Sequence, residues 1–72
     1  MNVYIFPYVE RVQHDTGGGV VAVAHDVVEA AALITEGGDT TITEKEWQAA
    51  MIYRFTSGDG IPASVWKFPR KP

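Results

Sequence analysis

The strongest constraint on the fold is a helix start signal in the middle of the chain. Thr43 is a residue type that caps helices, and Glu46 follows three positions later, so the two match a capping box. Ile42, just before the cap, can pack against Trp47 in the first turn. We therefore predict a helix that begins at residue 44 and ends between residues 53 and 55.

A second helix start lies earlier, at Asp26. Its side chain can accept hydrogen bonds from free backbone N–H groups, and Glu29 again stands three residues later. Apolar residues recur beyond it at helical spacing, at positions 27, 30, 31 and 34. Gly37 and Gly38 favour the left-handed conformation in which many helices end. The pattern predicts a helix between Asp26 and this glycine pair.

Strand patterns lie on both sides of the helices. Residues 3–12 alternate across two faces and are rich in β-branched and aromatic types, and residues 20–25 form a second such run. The glycine-rich loop between them permits a tight reversal, so we predict an antiparallel hairpin. Pro7 has no N–H for a ladder, which indicates an edge strand or a bulge. Residues 63–68 predict a last strand, with Pro69 and Pro72 keeping the tail out of the ladder.

The resulting order is β-β-α-α-β in one α+β domain spanning residues 1–72. We expect a small three-stranded, mainly antiparallel sheet with two helices on one face, and a flexible tail at about residues 69–72. The chain has no cysteine, so no disulfide can stabilise it. A domain of this length buries only about 60% of its unfolded surface. Such a chain folds on packing alone, or on packing plus self-association.

Motifs that could carry catalysis occur in the wrong context. Asp15-Thr16-Gly17 has the letters of the aspartic protease triplet, but it follows polar residues and leads into glycines, where that chemistry needs a rigid pair of carboxylates. The triple glycine lacks the lysine and the following helix of a phosphate-binding loop. We expect no enzyme activity, no catalytic residue and no cofactor.

Metal binding and membrane insertion are also not expected. His14 lies in the hairpin loop and His25 at the far end of a strand, so strand geometry does not bring the two imidazoles together. The longest apolar runs, such as residues 30–34, have five residues, against about 20 for a membrane helix. The first residues lack a basic region, so no signal peptide is expected. These features predict a cytoplasmic protein.

Negative charge is concentrated in the helical region and forms the first candidate binding surface. Between residues 26 and 46 there is one base against six acids. Such a field favours basic protein surfaces and repels free nucleic acid. The alternative is that the acids are helix caps and solvated helix faces. The candidate residues are Asp26, Glu29, Glu36, Asp39, Glu44 and Glu46.

Aromatic residues of the first strand form the second candidate surface. Tyr4, Phe6 and Tyr8 share one face of the strand. If the opposite face packs on the helices, these three rings form an exposed row, and exposed apolar patches mark interaction sites. The alternative is that the aromatic face is itself the core. RNA-binding sheets with such rings also need surrounding Lys and Arg, and this acidic chain has few, so we expect no direct contact with nucleic acid.

The absence of cysteine, the acidic middle and the hairpin-then-helix order together resemble small phage-encoded inhibitors of bacterial defence, especially anti-CRISPR proteins. The resemblance lies in size, charge and architecture, and no motif is shared. It implies a non-catalytic inhibitor that binds a protein partner, such as a CRISPR effector subunit, and blocks a basic nucleic-acid-binding surface in the bacterial host cell. The alternative is a self-associating structural or accessory domain that dimerises through its open sheet face. Both a monomer and a homodimer remain open.

Overall fold

Four antiparallel strands form one sheet, and two helices pack on one of its faces. The computed structural model describes residues 1–14, 16–56 and 60–70. The strand order is β3-β1-β2-β4, so the α+β class is confirmed and the expected number of three strands is wrong. The elements are β1 (Asn2–Val9), β2 (Gly18–Ala24), α1 (Val27–Thr35), a short 3-10 turn (Glu36–Gly38), α2 (Glu44–Ala49), β3 (Met51–Arg54) and β4 (Ser64–Pro69).

The additional strand, β3, replaces the end of the predicted second helix. α2 ends at Ala49, and Ala50 is extended, with φ −65° and ψ 141°. The next four residues pair antiparallel with β1, from Ile5 opposite Met51 to Asn2 opposite Arg54. The predicted helix end between residues 53 and 55 is therefore wrong. The backbone groups on the free edge of β1 need partners, and the β-branched and aromatic residues of β3 favour a strand.

The first strand is central in the sheet, and it is interrupted at Pro7. The register of β1 against β2 shifts between Phe6 and Val9, so the predicted bulge is confirmed and the predicted edge position is wrong. β3 pairs only with residues 2–5, which leaves Pro7 without a neighbour on that side. The bulge changes the alternation of β1. Val9 follows Phe6 into the core, and Tyr8 is exposed.

Gly18 allows the last strand to approach the hairpin closely. Its φ is +149°, and a Cβ atom built on it would clash with the carbonyl oxygen of Phe68. Pro69 pairs with Gly18 as the last residue of β4, so the expectation that Pro69 lies outside the ladder is wrong. The Arg70 N–H donates to the Gly17 carbonyl at 2.7 Å. Residues 71 and 72 of the predicted tail lie outside the described residues.

Both helix starts are confirmed, with one difference between them. At α2 the capping box is complete, because the Thr43 hydroxyl accepts from the Glu46 N–H at 3.2 Å and the Glu46 carboxylate accepts from the Thr43 N–H at 2.9 Å. At α1 the Asp26 carboxylate accepts from the Glu29 N–H at 2.8 Å. The Glu29 carboxylate, however, accepts from the N–H of His25, one residue before the cap, at 2.7 Å.

The core lies between the sheet and the helices. Its buried members come from β1, β2, α1 and the segment after β1, and they are Tyr4, Phe6, Val9, Val12, Val20, Ala22, Ala24, Ala30 and Ile34. Trp47 closes the core from α2. Its ring meets Phe6 edge-to-face at 5.0 Å and Tyr4 at 6.2 Å between centroids. Ile42 and Trp47 both pack against this cluster.

Candidate protein-binding surfaces

Two members of the predicted aromatic row are core residues and cannot bind a partner. Tyr4 and Phe6 are each 1% exposed, and both contact Trp47 under the helices. The expectation that they form an exposed row is therefore wrong, and the alternative that the aromatic face is the core holds for these two rings. Tyr8 is 55% exposed and lies where the bulge interrupts the register between Phe6 and Val9.

The opposite face of the sheet carries a different apolar surface. Residues directly opposite each other in a ladder share a face, so the register defines this surface without ambiguity. We call it the open face, and it consists of Val3, Ile5, Gly19, Val21, Val23, Met51, Tyr53, Ser64, Trp66 and Phe68. Its three rings are about half exposed, with Tyr53 at 56%, Trp66 at 49% and Phe68 at 57%.

Large side chains of the open face stand on the two edge strands. Met51 and Tyr53 belong to β3, and their side chains meet, with the Tyr53 hydroxyl donating to the Met51 sulfur at 3.9 Å. Trp66 and Phe68 stand on β4 at the other edge. The central strands contribute smaller aliphatic side chains, of which Val3, Ile5 and Val21 are partly covered and Val23 is buried. The open face therefore has small aliphatic side chains at its centre and larger side chains along both edge strands.

Among the described ladder residues, none on the open face is charged, because the register places Arg54 and Lys67 on the helix side. Arg54 lies opposite Asn2 and Lys67 opposite Val20, so both belong to the helix-covered face. Lys67 is largely buried there and its ammonium group lies 2.6 Å from the Asp39 carboxylate. An ammonium group on the open face would oppose the docking of an apolar partner. Its absence makes this face well suited to apolar contact.

Asp39 belongs to the predicted acidic surface, but it has a structural partner. The hydrogen bond from the Lys67 ammonium group holds the pKa of the Asp39 carboxyl below its ordinary value, despite some desolvation. The Asp39 carbonyl also accepts from the His14 N–H at 2.7 Å. Next to it, buried Thr40 accepts from the Gln13 N–H at 3.3 Å. This segment thus joins the hairpin loop to β4.

Glu29 and Glu46 also make internal hydrogen bonds. The pKa of Glu29 is lowered, first by the bond from the His25 N–H and then by its contact with the His25 side chain at 2.9 Å. Desolvation raises the pKa of Glu46, but bonds from the backbone of Thr43 and Glu10 outweigh it and leave the pKa below its ordinary value. The bond from the Glu10 N–H measures 2.8 Å and fastens α2 to the end of β1.

Two acids of the predicted surface are available for a partner. Asp26 caps α1 through its side chain, which leaves Glu36 and Glu44. Both are exposed, and neither makes a hydrogen bond or an ion pair within the described part of the chain. The alternative interpretation of the acids as caps and solvated faces therefore explains most of this set.

A shallow groove runs between the helices on the side away from the open face. Its volume is about 410 Å³, and it is lined by Val27, Ala31, Glu44, Trp47, Gln48 and Ile52. Volumes of this order are typical of ligand pockets, which are usually more enclosed. Glu44 is the only charged residue among these lining residues. The groove joins an acidic side chain to apolar surface but offers no pair of groups for acid–base chemistry.

The sites considered for metal and catalysis are distributed as follows. In residues 1–14, 16–56 and 60–70, no three His, Asp or Glu side chains are placed to share a metal ion. His14 is in the hairpin loop with φ +60°, and His25 contacts Glu29 after β2. Asp15, the key residue of the protease-like triplet, lies outside the described residues.

None of the helices described is both long and apolar enough to span a membrane.

Comparison with known protein families, with curated proteins and with solved structures found no match.

Proposed function

We propose that this protein is a non-catalytic protein-binding domain and that the open face is its main docking surface. The observation that supports this is the uncharged apolar face opposite the helices, with three half-exposed aromatic rings. Tyr and Trp are the residues that contribute most binding free energy at protein interfaces. A face without charges can be desolvated at little cost.

Nucleic acid is a poor candidate for this face. Aromatic sheets that bind RNA stack bases on their rings and hold the phosphates with nearby Lys and Arg. Here Arg54 and Lys67 belong to the helix-covered face, and Lys67 is neutralised by Asp39. The net charge of −3 further opposes binding to a polyanion.

The specific form of the proposal is an inhibitor of a bacterial defence complex, with a CRISPR effector subunit as the partner to test. It rests on the resemblance in size, charge and architecture to anti-CRISPR proteins. Glu36 and Glu44, the acids without an internal partner among the described residues, lie on the helix side of the sheet and would steer that side of the chain, not the open face, toward a basic surface. Such steering acts mainly on the association rate and weakens with salt.

Binding to purified CRISPR effector complexes tests the proposal with one variant for each surface. Trp66→Asp places a charge in the open face and should weaken binding at least tenfold. The double change Glu36→Lys and Glu44→Lys should slow association several-fold at low salt and have little effect at high salt. Val28→Asp is the matched control, because it adds the same charge at an exposed position of α1, 79% exposed.

The outcomes separate the parts of the proposal. Wild-type affinity of Trp66→Asp for a bound complex contradicts the open face as the contact surface. Unchanged association kinetics of the double variant contradict a contribution from the acids. If the wild-type chain binds none of the complexes, the inhibitor form of the proposal is wrong.

The second candidate is a self-associating structural or accessory domain. The specific observation that favours it is that the open face is neutral and apolar, so it can face a copy of itself without repulsion between like charges.

A further inference from the structure

We infer that the occupant of the open face is the same face of a second copy, so that two sheets pack face to face in a two-fold symmetric dimer. The inference rests on the proposed function in one respect, namely that the open face is a docking surface. It goes further by naming the occupant. Three properties of the described residues support it, namely the placement of charge, the area of the face and the small size of the core.

Charge placement favours self-contact through the open face over self-contact through the helical layer. The acids of residues 26–46 lie in the helical layer, on the other side of the sheet. Packed sheets lie about 10 Å apart, and each helical layer lies about 10 Å beyond its sheet. The two acidic layers would then be about 30 Å apart, well beyond the screening length of about 8 Å at physiological salt. Contact between helical layers would bring the same acids together.

The exposed area agrees with a dimer of moderate affinity. Aromatic residues bury about 150–250 Å² each when fully covered, and the three rings here are about half exposed. With Met51 at 42% exposed and the aliphatic centre, the face offers on the order of 400–500 Å² per copy. Two copies would bury about 800–1,000 Å², which is at the lower limit for a specific interface. We therefore expect a dissociation constant in the micromolar range.

The size of the core points in the same direction. The buried cluster lies entirely on the helix side of the sheet, so the second face of the sheet contributes little to it. Sheets whose two faces are both apolar are usually covered on both sides. A second copy would complete the layers as helix, sheet, sheet, helix. In a two-fold interface each residue is used twice, so one substitution removes two contacts.

Analytical ultracentrifugation of the full chain between about 1 and 500 μM tests the inference. The wild type should pass from monomer to dimer across this range. Trp66→Asp should raise the dissociation constant at least tenfold, because two carboxylates would enter an apolar interface. Val28→Asp should dimerise like the wild type, and far-UV circular dichroism checks that both variants fold. A wild type that is monomeric throughout, or a dimer unaffected by Trp66→Asp, overturns the inference.

Tryptophan fluorescence provides a second measurement that does not depend on a disruptive variant. In Trp47→Phe the only tryptophan is Trp66, on the open face. Its quenching by acrylamide should fall as the protein concentration rises through the dissociation constant. In Trp66→Phe the remaining Trp47 should be quenched equally at all concentrations. If the quenching of Trp66 does not change while the dimer forms, the copies associate through an edge strand or the helices, and the inference is wrong.

Failure of the dimer is distinguishable from failure of the proposed function. A monomeric wild type that binds an effector complex, and loses that binding on Trp66→Asp, contradicts the second copy as occupant while the open face remains the docking surface. If the wild type is monomeric and Trp66→Asp binds such a complex as tightly as the wild type does, both the dimer and the open face as docking surface are contradicted.

Discussion

The two faces of the sheet are built from the same strands and differ in what covers them. On one face Tyr4 and Phe6 are buried by α1, α2 and Trp47. On the other face Tyr53, Trp66 and Phe68 remain about half exposed. Alternate residues of a strand thus serve two purposes, since one set stabilises the fold and the other is available for contact. The comparison predicts that substitutions on the two faces separate stability from binding.

The largest difference in stability should appear when one tryptophan of each face is replaced by alanine. Trp47→Ala removes the ring that packs edge-to-face on Tyr4 and Phe6, and it should lower the free energy of unfolding by about 3 kcal/mol. Trp66→Ala removes an open-face ring and should cost the monomer less than about 1 kcal/mol. Urea unfolding at low micromolar concentration measures both. Equal losses would show that the open face is part of the stabilising core.

A smaller effect is expected from two adjacent glycines at the start of β2. Gly18 has a φ of +149°, and a Cβ atom on it would clash with the backbone of Phe68. Gly18→Ala should therefore lower the free energy of unfolding by about 2–3 kcal/mol and loosen β4. A Cβ at Gly19 would lie 3.6 Å from the nearest atoms, the carbonyl oxygens of Phe6 and Pro7. Gly19→Ala should therefore change stability by less than about 0.5 kcal/mol. Amide hydrogen exchange in residues 64–69 would show whether β4 alone is loosened.

Much of this architecture is predictable from local sequence signals. The two helix starts, the hairpin and the last strand were each indicated by a cap, a turn or an alternating pattern, and each is present. The missed strand, β3, has a physical explanation. Its apolar residues continue the helical spacing of Trp47, which favours a longer helix in the prediction. The segment forms a strand because it pairs with the free edge of β1, about 50 residues away in sequence. The β-branched Ile52 and the aromatic Tyr53 are the local signal for a strand.

The candidate site was harder to predict than the fold. In β1 both alternating sets are apolar, so the pattern alone could not decide which set faces the helices. The bulge at Pro7 then moved Tyr8 and Val9 to opposite sides from those expected. Tyr53 falls within the predicted second helix, while Trp66 and Phe68 fall within the predicted last strand. The assembled surface depends on register, which is a property of strand pairing.

The capping box gives a prediction of intermediate size on the helix-covered side. Thr43→Ala removes the hydroxyl that accepts from the Glu46 N–H and should cost about 1 kcal/mol. Thr43→Ser keeps that oxygen and should recover most of the loss. Thermal unfolding of the two variants provides the measurement. Neither change should affect dimerisation, because Thr43 lies in the helical layer.

The smallest effect concerns pH, and it tests the contact between Lys67 and Asp39. The Lys67 ammonium group contacts the Asp39 carboxylate on the helix side, and this contact lowers the pKa of the Asp39 carboxyl. The unfolded chain therefore binds a proton more readily at Asp39 than the folded chain does. The resulting stabilisation is fully present above the unfolded pKa of about 4 and is lost as the pH falls through the lowered folded pKa. The lowered pKa values of Glu29 and Glu46 act in the same direction.

Urea unfolding between pH 6 and pH 3 should thus show stability falling with acid in the wild type, and less steeply in Asp39→Asn. Glu36→Gln is the matched control, because it removes an exposed carboxylate without an internal partner among the described residues, and it should keep the wild-type pH dependence. If Asp39→Asn also keeps that dependence, the Lys67–Asp39 contact contributes nothing to folding. In that case the position of Lys67 is explained by the register of β4 alone, which places residue 67 opposite Val20 and away from the open face.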